Sequence, residues 1–154
     1  MPDILIKLYA LPRAPRNMEG VEIRRPMPHE KHHISAWVAQ HFEPGWAAEF
    51  EVSYRHSPAS SLIAVRAAQV VGFACFDVTS RGFFGPTGVL PSERGQGLGT
   101  ELLIRSLWAL RELGYAYAII GDAGPVEFYQ RAVGGLVIPE SEPGIYPAPL
   151  QGEA

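Results

Sequence analysis

Three glycines stand at alternate positions in the segment Pro91–Thr100, which reads PSERGQGLGT, and a helical pattern of leucines follows it directly. Backbone N–H groups at the start of a helix have no partner within the helix and carry partial positive charge. Glycines let an anion come close to these groups, because no side chain stands in between. The segment therefore predicts a phosphate-binding site at a helix N-terminus.

Two other glycine-rich phosphate motifs do not fit this segment. A dinucleotide-binding fingerprint needs a third glycine where Thr100 stands, and it follows the opening strand of a βαβ unit. A P-loop ends in Gly-Lys-Ser or Gly-Lys-Thr, and the segment contains no lysine. A glycine-rich turn that serves only helix–strand packing is the structural alternative.

The run from Val89 to Leu103 resembles the acetyl-CoA pyrophosphate motif of the GNAT N-acetyltransferase superfamily. Its signature, Arg/Gln-x-x-Gly-x-Gly/Ala, is met by Arg94, Gly97 and Gly99. The resemblance extends from about Val21 to about Pro139, and it implies acetyl-CoA as co-substrate. The cofactor-binding residues that it implies are Gly88, Val89, Leu90, Arg94, Gly95, Gln96, Gly97, Leu98, Gly99, Thr100 and Phe128.

A second signature of that family, Phe/Leu-Tyr-x-Lys/Arg-x-x-Gly, is similar to the segment Glu127–Gly134, which reads EFYQRAVG. The similarity implies that Tyr129 protonates the CoA thiolate as it leaves. A tyrosine packed in the core is the alternative.

The chain departs from the family pattern at two positions. Asp122 stands where many members have Asn, and Gly135 stands where they have an aromatic residue. The carboxylate of Asp122 can accept hydrogen bonds but cannot donate them. It is therefore expected to be either a general base facing the incoming amine or a turn residue after a strand.

The acceptor wall of the family is built by the two early helices and the loop between them, with the β-hairpin on the far side. The residues that this places at the acceptor are Trp46, Glu49, Phe50 and Phe84. They imply a partly aromatic cleft whose carboxylates favour a cationic amine. An amino sugar, a polyamine, an amino acid and a protein N-terminus all stay open as acceptors.

One short segment of the chain also has the spacing of a metal site. His29, Glu30 and His33 have the His-Glu-x-x-His spacing that places two imidazoles on one helical face in zinc peptidases. The segment follows Pro28 and falls in the first turn of a helix, so we expect a solvated helix face and no bound metal.

The elements that must position these residues follow from hydrophobic periodicity. From Val21 the pattern predicts the order β-α-α-β-β-β-α-β-α-β, an α/β fold with a mixed sheet. The resemblance implies that the strands Phe83–Leu90 and Tyr115–Gly121 are parallel and splayed around acetyl-CoA. Residues 1–20 are predicted as an N-terminal extension with one extra strand, Ile4–Leu11, and residues 21–154 as a single domain. The tail is expected to pair only at Gly144–Tyr146.

Composition narrows the class of protein. The chain has 154 residues, a formal charge of −3 and one cysteine. It is thus long enough for one domain, but it offers no basic face for nucleic acid or an anionic membrane. We expect a cytoplasmic protein, monomeric or a homodimer. We also expect an acetyl-CoA-dependent N-acetyltransferase, with a non-catalytic acyl-CoA-binding module as its rival.

Overall fold

A single seven-stranded sheet organises the residues that the computed structural model describes, 1–152. Its strands lie in the order β2-β3-β4-β5-β6-β1-β7, and only β5 and β6 are parallel neighbours. The strands are β1 (Ile4–Lys7), β2 (Glu22–Arg24), β3 (Ser61–Arg66), β4 (Gln69–Phe76), β5 (Phe83–Val89), β6 (Tyr117–Ile120) and β7 (Leu136–Val137). The helices are α1 (Lys31–His41), α2 (Pro44–Val52), α3 (Leu98–Glu112) and α4 (Val126–Val133).

The order of elements predicted from Val21 onward is confirmed, and so is the mixed α/β fold class. Strand β6 begins two residues later than predicted. Tyr115 lies beyond the end of α3 but still caps the helix, because its N–H donates to the Leu110 carbonyl at 3.3 Å. Within residues 1–152, none of the helices has the length and apolar character needed to cross a membrane.

The tail departs from the prediction. Gly144–Tyr146 does not pair with the described strands and instead forms part of a turn. Pro143 and Pro147 flank this segment, and a proline lacks the N–H that a strand would donate.

The first strand has an interior place in the sheet. Strand β1 lies between β6 and β7, where Ile4 is opposite both Ile120 and Val137. The side chains of Ile4 and Ile6 are fully buried. The chain before residue 20 therefore supplies an interior strand of the sheet and part of the core.

Both faces of the sheet are covered at β4, whose side chains alternate between two hydrophobic clusters. Phe73 and Cys75 pack with α1 and α2, whereas Ala74 and Phe76 face the cluster formed with α3. Helices α3 and α4 therefore lie on one face and α1 and α2 on the other.

Candidate active site

The parallel strands β5 and β6 part after two paired positions. Phe83 is opposite Ile119 and Phe84 is opposite Ile120, and no later residue of β5 pairs with β6. The sequence accounts for the break. Gly85 has a φ of +113°, and Pro86 has no N–H to donate, so a regular ladder ends here. The predicted splay of the two strands is present.

A cleft of about 590 Å³ fills the space between the splayed strands. One wall comes from β5 between Gly85 and Val89, and the opposite wall from the end of β6 and from α4. Trp46 of α2 lies at one end, and Arg94 and Gly99 lie at the other. The cleft therefore connects the helix bearing the glycine segment with the two early helices.

The glycine segment forms an open cradle next to this cleft. Gly95 and Gly97 have φ values of +82° and +85°, which favour glycine, and a Cβ added at either would meet no atom within 4 Å. A second cavity of about 270 Å³ lies over them, bordered by Arg94, Leu98 and Thr100 among others. These glycines thus leave empty space and are not required by contacts within the chain.

The start of α3 supplies donors to that space. Gly97 is the N-cap residue and receives no side-chain cap, and the first helical hydrogen bond is donated by Glu101 to the Gly97 carbonyl at 3.0 Å. The N–H groups of Leu98, Gly99 and Thr100 precede that bond and have no helical acceptor. With the helix dipole they form a site suited to an anion.

Three of the predicted cofactor residues differ from the rest in their contacts. A Cβ added at Gly88 would lie 2.5 Å from Cε1 of Phe42, so packing alone requires a glycine there. The Leu90 N–H donates to the Val71 carbonyl at 3.0 Å and is thus turned towards β4, and Leu90 lines neither cavity, whereas Gly88 and Val89 line the cleft. Gln96 is exposed and lines neither cavity.

Tyr129 and Phe128 on α4 both line the cleft. The tyrosine is 8% exposed, and its ring meets the Phe128 ring edge-on with centroids 5.0 Å apart. Burial raises the pKa of the Tyr129 phenol, so this group stays protonated at neutral pH. Tyr129 therefore combines the position of a core tyrosine with access to the cleft.

Asp122 lies at the end of β6, in the wall of the cleft. It has a left-handed φ of +48°, and its N–H donates to Asp3 Oδ1 at 2.9 Å, so the residue does form the turn after the strand. The carboxylate is largely exposed and lies 3.3 Å from the Met1 amino group. Asp122 therefore forms the turn and also borders the cleft, with its carboxylate paired to the Met1 amino group.

A recess of about 150 Å³ adjoins the cleft at Trp46, and we call it the acceptor recess because the sequence predicted the acceptor at this end. Its lining includes Trp46, Glu49, Phe84 and Asp122, together with Thr79 and Tyr146, which the sequence did not single out. The Thr79 hydroxyl donates a hydrogen bond to Glu49 and thereby orients this carboxylate. Nothing in the tail pattern indicated that Tyr146 would come back to the cleft.

Phe50 does not belong to this recess. It is fully buried and packs edge-on against Phe73 and Tyr54, at centroid distances of 6.5 and 5.7 Å. The helical period of α2 turns Phe50 into the core cluster, whereas Trp46 and Glu49 border the cleft. The prediction that Phe50 contacts the acceptor is therefore corrected.

The histidine segment is held by contacts within the chain. Glu30 accepts two hydrogen bonds from the Arg24 guanidinium, both 2.8 Å, and one from the Met27 N–H. The Arg24 contact lowers the pKa of Glu30 to about 2. His29 lies in a 3₁₀ turn before α1, and among residues 1–152 no group of three or more potential ligands is close enough to hold a metal ion.

Known proteins provide an independent comparison with this geometry. The model of the acetyltransferase (GNAT) family matches residues 22–134. A GCN5-related N-acetyltransferase from Sphaerobacter thermophilus shares the fold over 89% of this chain, with a TM-score of 0.71 and 22% identity. This chain spans 48% of the length of the Sphaerobacter protein, which is about half. Among curated proteins, no sequence gives a significant match.

Two further structures carry a nucleotide ligand. A GNAT family acetyltransferase from Brucella melitensis was solved with acetyl-CoA; it is 27% identical over 74% of this chain and 82% of its own, with a TM-score of 0.53. A GNAT family N-acetyltransferase from Escherichia coli was solved with CoA; it is 26% identical over 67% of this chain and 63% of its own, with a TM-score of 0.50.

The family match covers well over half of the chain and includes both splayed strands, the glycine segment and Tyr129. The resemblance expected from the sequence is therefore confirmed. The chain belongs to the acetyltransferase (GNAT) family.

Proposed function

We propose that this chain transfers an acetyl group from acetyl-CoA to a primary amine, by direct attack within a ternary complex. The observation that carries the proposal is a central cleft that shares lining residues with an anion cradle at one end and with a recess bordered by Glu49 and Asp122 at the other. A cofactor rich in phosphate and an amine that arrives as a cation fit these two ends.

Acetyl-CoA is the co-substrate in this proposal. Its pyrophosphate would lie over Gly95, Gly97 and the free N–H groups of α3, and its pantetheine arm along the unpaired edge of β5 at Gly88 and Val89. Family membership supports this assignment, as do the acetyl-CoA and CoA complexes of the Brucella and Escherichia coli proteins.

In the transfer step the neutral amine nitrogen attacks the thioester carbonyl carbon, so that a C–N bond forms and the C–S bond breaks. An alkylammonium has a pKa of about 10, as lysine does, so the amine must first lose a proton. Asp122 is the proposed base, and Glu49 is proposed to orient the cation. Backbone N–H groups near Val89 would stabilise the oxyanion.

Tyr129 supplies the proton for the departing thiolate in this scheme. A phenol kept neutral by burial still has its proton when the thiolate forms. Because a thiol of pKa about 8.5 is a stronger acid than a phenol of pKa about 10, this proton transfer is unfavourable at equilibrium. The transfer therefore depends on a fixed, dry contact at the moment when the C–S bond breaks.

Direct transfer is favoured over a covalent intermediate because the chain's one cysteine is unsuited to attack. Cys75 is fully buried, and burial raises the pKa of its thiol well above the ordinary value. A nucleophilic cysteine instead needs an accessible thiolate.

A non-catalytic acyl-CoA-binding module is the alternative from another class. The test is to mix the protein with acetyl-CoA and a panel of primary amines and to measure free CoA and acetylated amine. Stoichiometric formation of both supports the transferase. Tight acetyl-CoA binding without amine-dependent CoA release would support the binding module.

A further inference from the structure

The ring of Tyr146 stands between two cavities. One is the acceptor recess of about 150 Å³, and the other is an outer cavity of about 600 Å³ bordered by Glu142 and Pro143. Among residues 1–152, only Tyr146 and Asp122 line both. The Tyr146 hydroxyl lies against Gly121, which lines the acceptor recess, so the ring borders the recess on the side of the outer cavity.

The sequence around the ring accommodates it closely. A Cβ added at Gly121 would collide with the Tyr146 hydroxyl, so only glycine at the end of β6 lets the ring approach. The tail that carries Tyr146 is tied to the start of the chain, because Asp3 N–H donates to Ser141 Oγ at 2.8 Å. Ser141 in turn donates to the Ile138 carbonyl at 2.6 Å. The tail before Tyr146 is thus anchored to the start of the chain, and the ring itself lies against the end of β6.

The surroundings of the ring are acidic. Burial and the carboxylates of Asp3, Glu49 and Asp122 raise the pKa of the Tyr146 phenol to about 12. The hydroxyl therefore stays neutral at any physiological pH. Of the three carboxylates, that of Asp122 already pairs with the Met1 amino group at 3.3 Å. Beyond the ring, the wall of the outer cavity carries the carboxylates of Asp122 and Glu142 and the Met1 ammonium, which pairs with each of them at 3.3 Å. Two negative charges and one positive charge leave this wall with a net negative charge.

We propose that Tyr146 determines the length of the acceptor. With the ring in place, the acceptor recess takes a short primary ammonium compound, and the second ammonium of a longer linear diamine cannot pass into the acidic outer cavity. This inference rests on the proposed function, because it concerns selection among amines that the chain acetylates.

Linear diamines with three to eight carbons, assayed with acetyl-CoA, test this proposal. We expect kcat/KM of the wild-type protein to fall as the chain lengthens. Tyr146→Ala joins the two cavities and should raise the ratio of kcat/KM for the eight-carbon to the three-carbon diamine by about tenfold or more, the scale of a hydrophobic pocket wall. Tyr146→Phe keeps the ring and should keep the wild-type ratio.

Controls keep the test decisive. Tyr9→Ala removes an exposed tyrosine that lines neither the cleft, nor the cavity over the glycines, nor the acceptor recess. It should leave the ratio of kcat/KM for the two diamines unchanged. Gly121→Ala displaces the ring without removing it and should shift the ratio in the same direction as Tyr146→Ala. A folded Tyr146→Ala protein with the wild-type ratio overturns the proposal. Absence of CoA release with every diamine, in a protein that acetylates another primary amine, would also overturn this proposal, whereas absence of CoA release with every primary amine would overturn the proposed function.

Discussion

At the glycine end of the cleft, the groups that face a ligand are mainly backbone groups of one short segment, Arg94–Thr100. At the acceptor end they are side chains from separate parts of the chain. These are Trp46 and Glu49 of α2, Thr79 of the β4–β5 turn, Phe84 of β5, Asp122 after β6 and Tyr146 of the tail. The first end is polarised positively by a helix terminus, and the second is negative and aromatic.

The two ends should therefore respond differently to substitution. A backbone site is blocked by adding a side chain, whereas deleting a side chain next to it costs little. A site built from side chains loses a specific interaction with each deletion. The largest effect of all is expected where a side chain is added to the backbone site.

Gly97→Glu should abolish acetyl-CoA binding while the chain still folds. The new side chain enters the space over α3 that is empty now, and its carboxylate repels the pyrophosphate. We expect the affinity measured by calorimetry to fall by more than about 100-fold, equivalent to about 2.7 kcal/mol.

The matched control is Gly114→Glu at the other end of the same helix. Gly114 has a φ of +105° and open space around it, so the substitution brings the same backbone strain and the same charge. It should lower the melting temperature as Gly97→Glu does and leave acetyl-CoA affinity intact. Equal affinities in both folded variants would contradict the cradle assignment.

Tyr129→Phe should lower kcat by roughly 10²–10³-fold, the scale of one general acid, with little change in acetyl-CoA affinity. The ring and its contact with Phe128 remain, and only the proton donor is removed. The deficit should shrink with an acetyl donor whose thiol has a lower pKa, because a better leaving group needs less protonation. A rate loss indifferent to the leaving group, together with a lower melting temperature, would indicate a packing role.

Substitutions of the two carboxylates at the acceptor end, Asp122 and Glu49, should change different kinetic parameters. Asp122→Asn removes the proposed base, so it should lower kcat by about 100-fold. Glu49→Gln keeps the shape of the side chain near Thr79 and removes its charge. It should raise KM for the amine by about tenfold and leave kcat nearly unchanged. Steady-state kinetics with one cationic amine measures both parameters. A kcat loss in Glu49→Gln with a KM increase in Asp122→Asn would instead make Glu49 the base and Asp122 the residue that orients the amine.

The same contrast accounts for which parts of the site were predictable from the sequence. The glycine segment and Tyr129 lie in short local patterns, and the structure places both at the cleft. Tyr146 reaches the cleft because its tail folds back against the start of the chain. There Ser141 contacts Asp3, which is 138 residues away in sequence. No local periodicity encodes such a contact. Phe50 and Glu49 are neighbours in sequence, yet the turn of α2 directs one into the core and the other into the cleft.

Prediction of the fold from the sequence has a similar limit. Nearly every strand and helix was predictable from alternation and helical period, because each element buries one face locally. The position of β1 was not, since its apolar pattern fits an edge strand as well as an interior one. Only the pairing of Ile4 with both Ile120 and Val137 shows that the strand completes the sheet.

The smallest effect is expected at Arg94, which among residues 1–152 is the one charged residue that borders both the cleft and the cavity over the glycines. It is exposed, and its Nε donates to the Val89 carbonyl at 3.3 Å, so a large share of its charge is screened by solvent. If the backbone of α3 holds the pyrophosphate, Arg94→Ala should raise KM for acetyl-CoA only about fivefold, whereas Gly97→Glu eliminates binding. The effect should also diminish at high salt, because an exposed ion pair weakens as screening increases. Arg111→Ala is a suitable control, since it removes an exposed arginine from the far end of the same helix that lines neither cavity. A loss at Arg94 as large as that at Gly97 would show that a side chain, and not the helix terminus, dominates this end of the cleft.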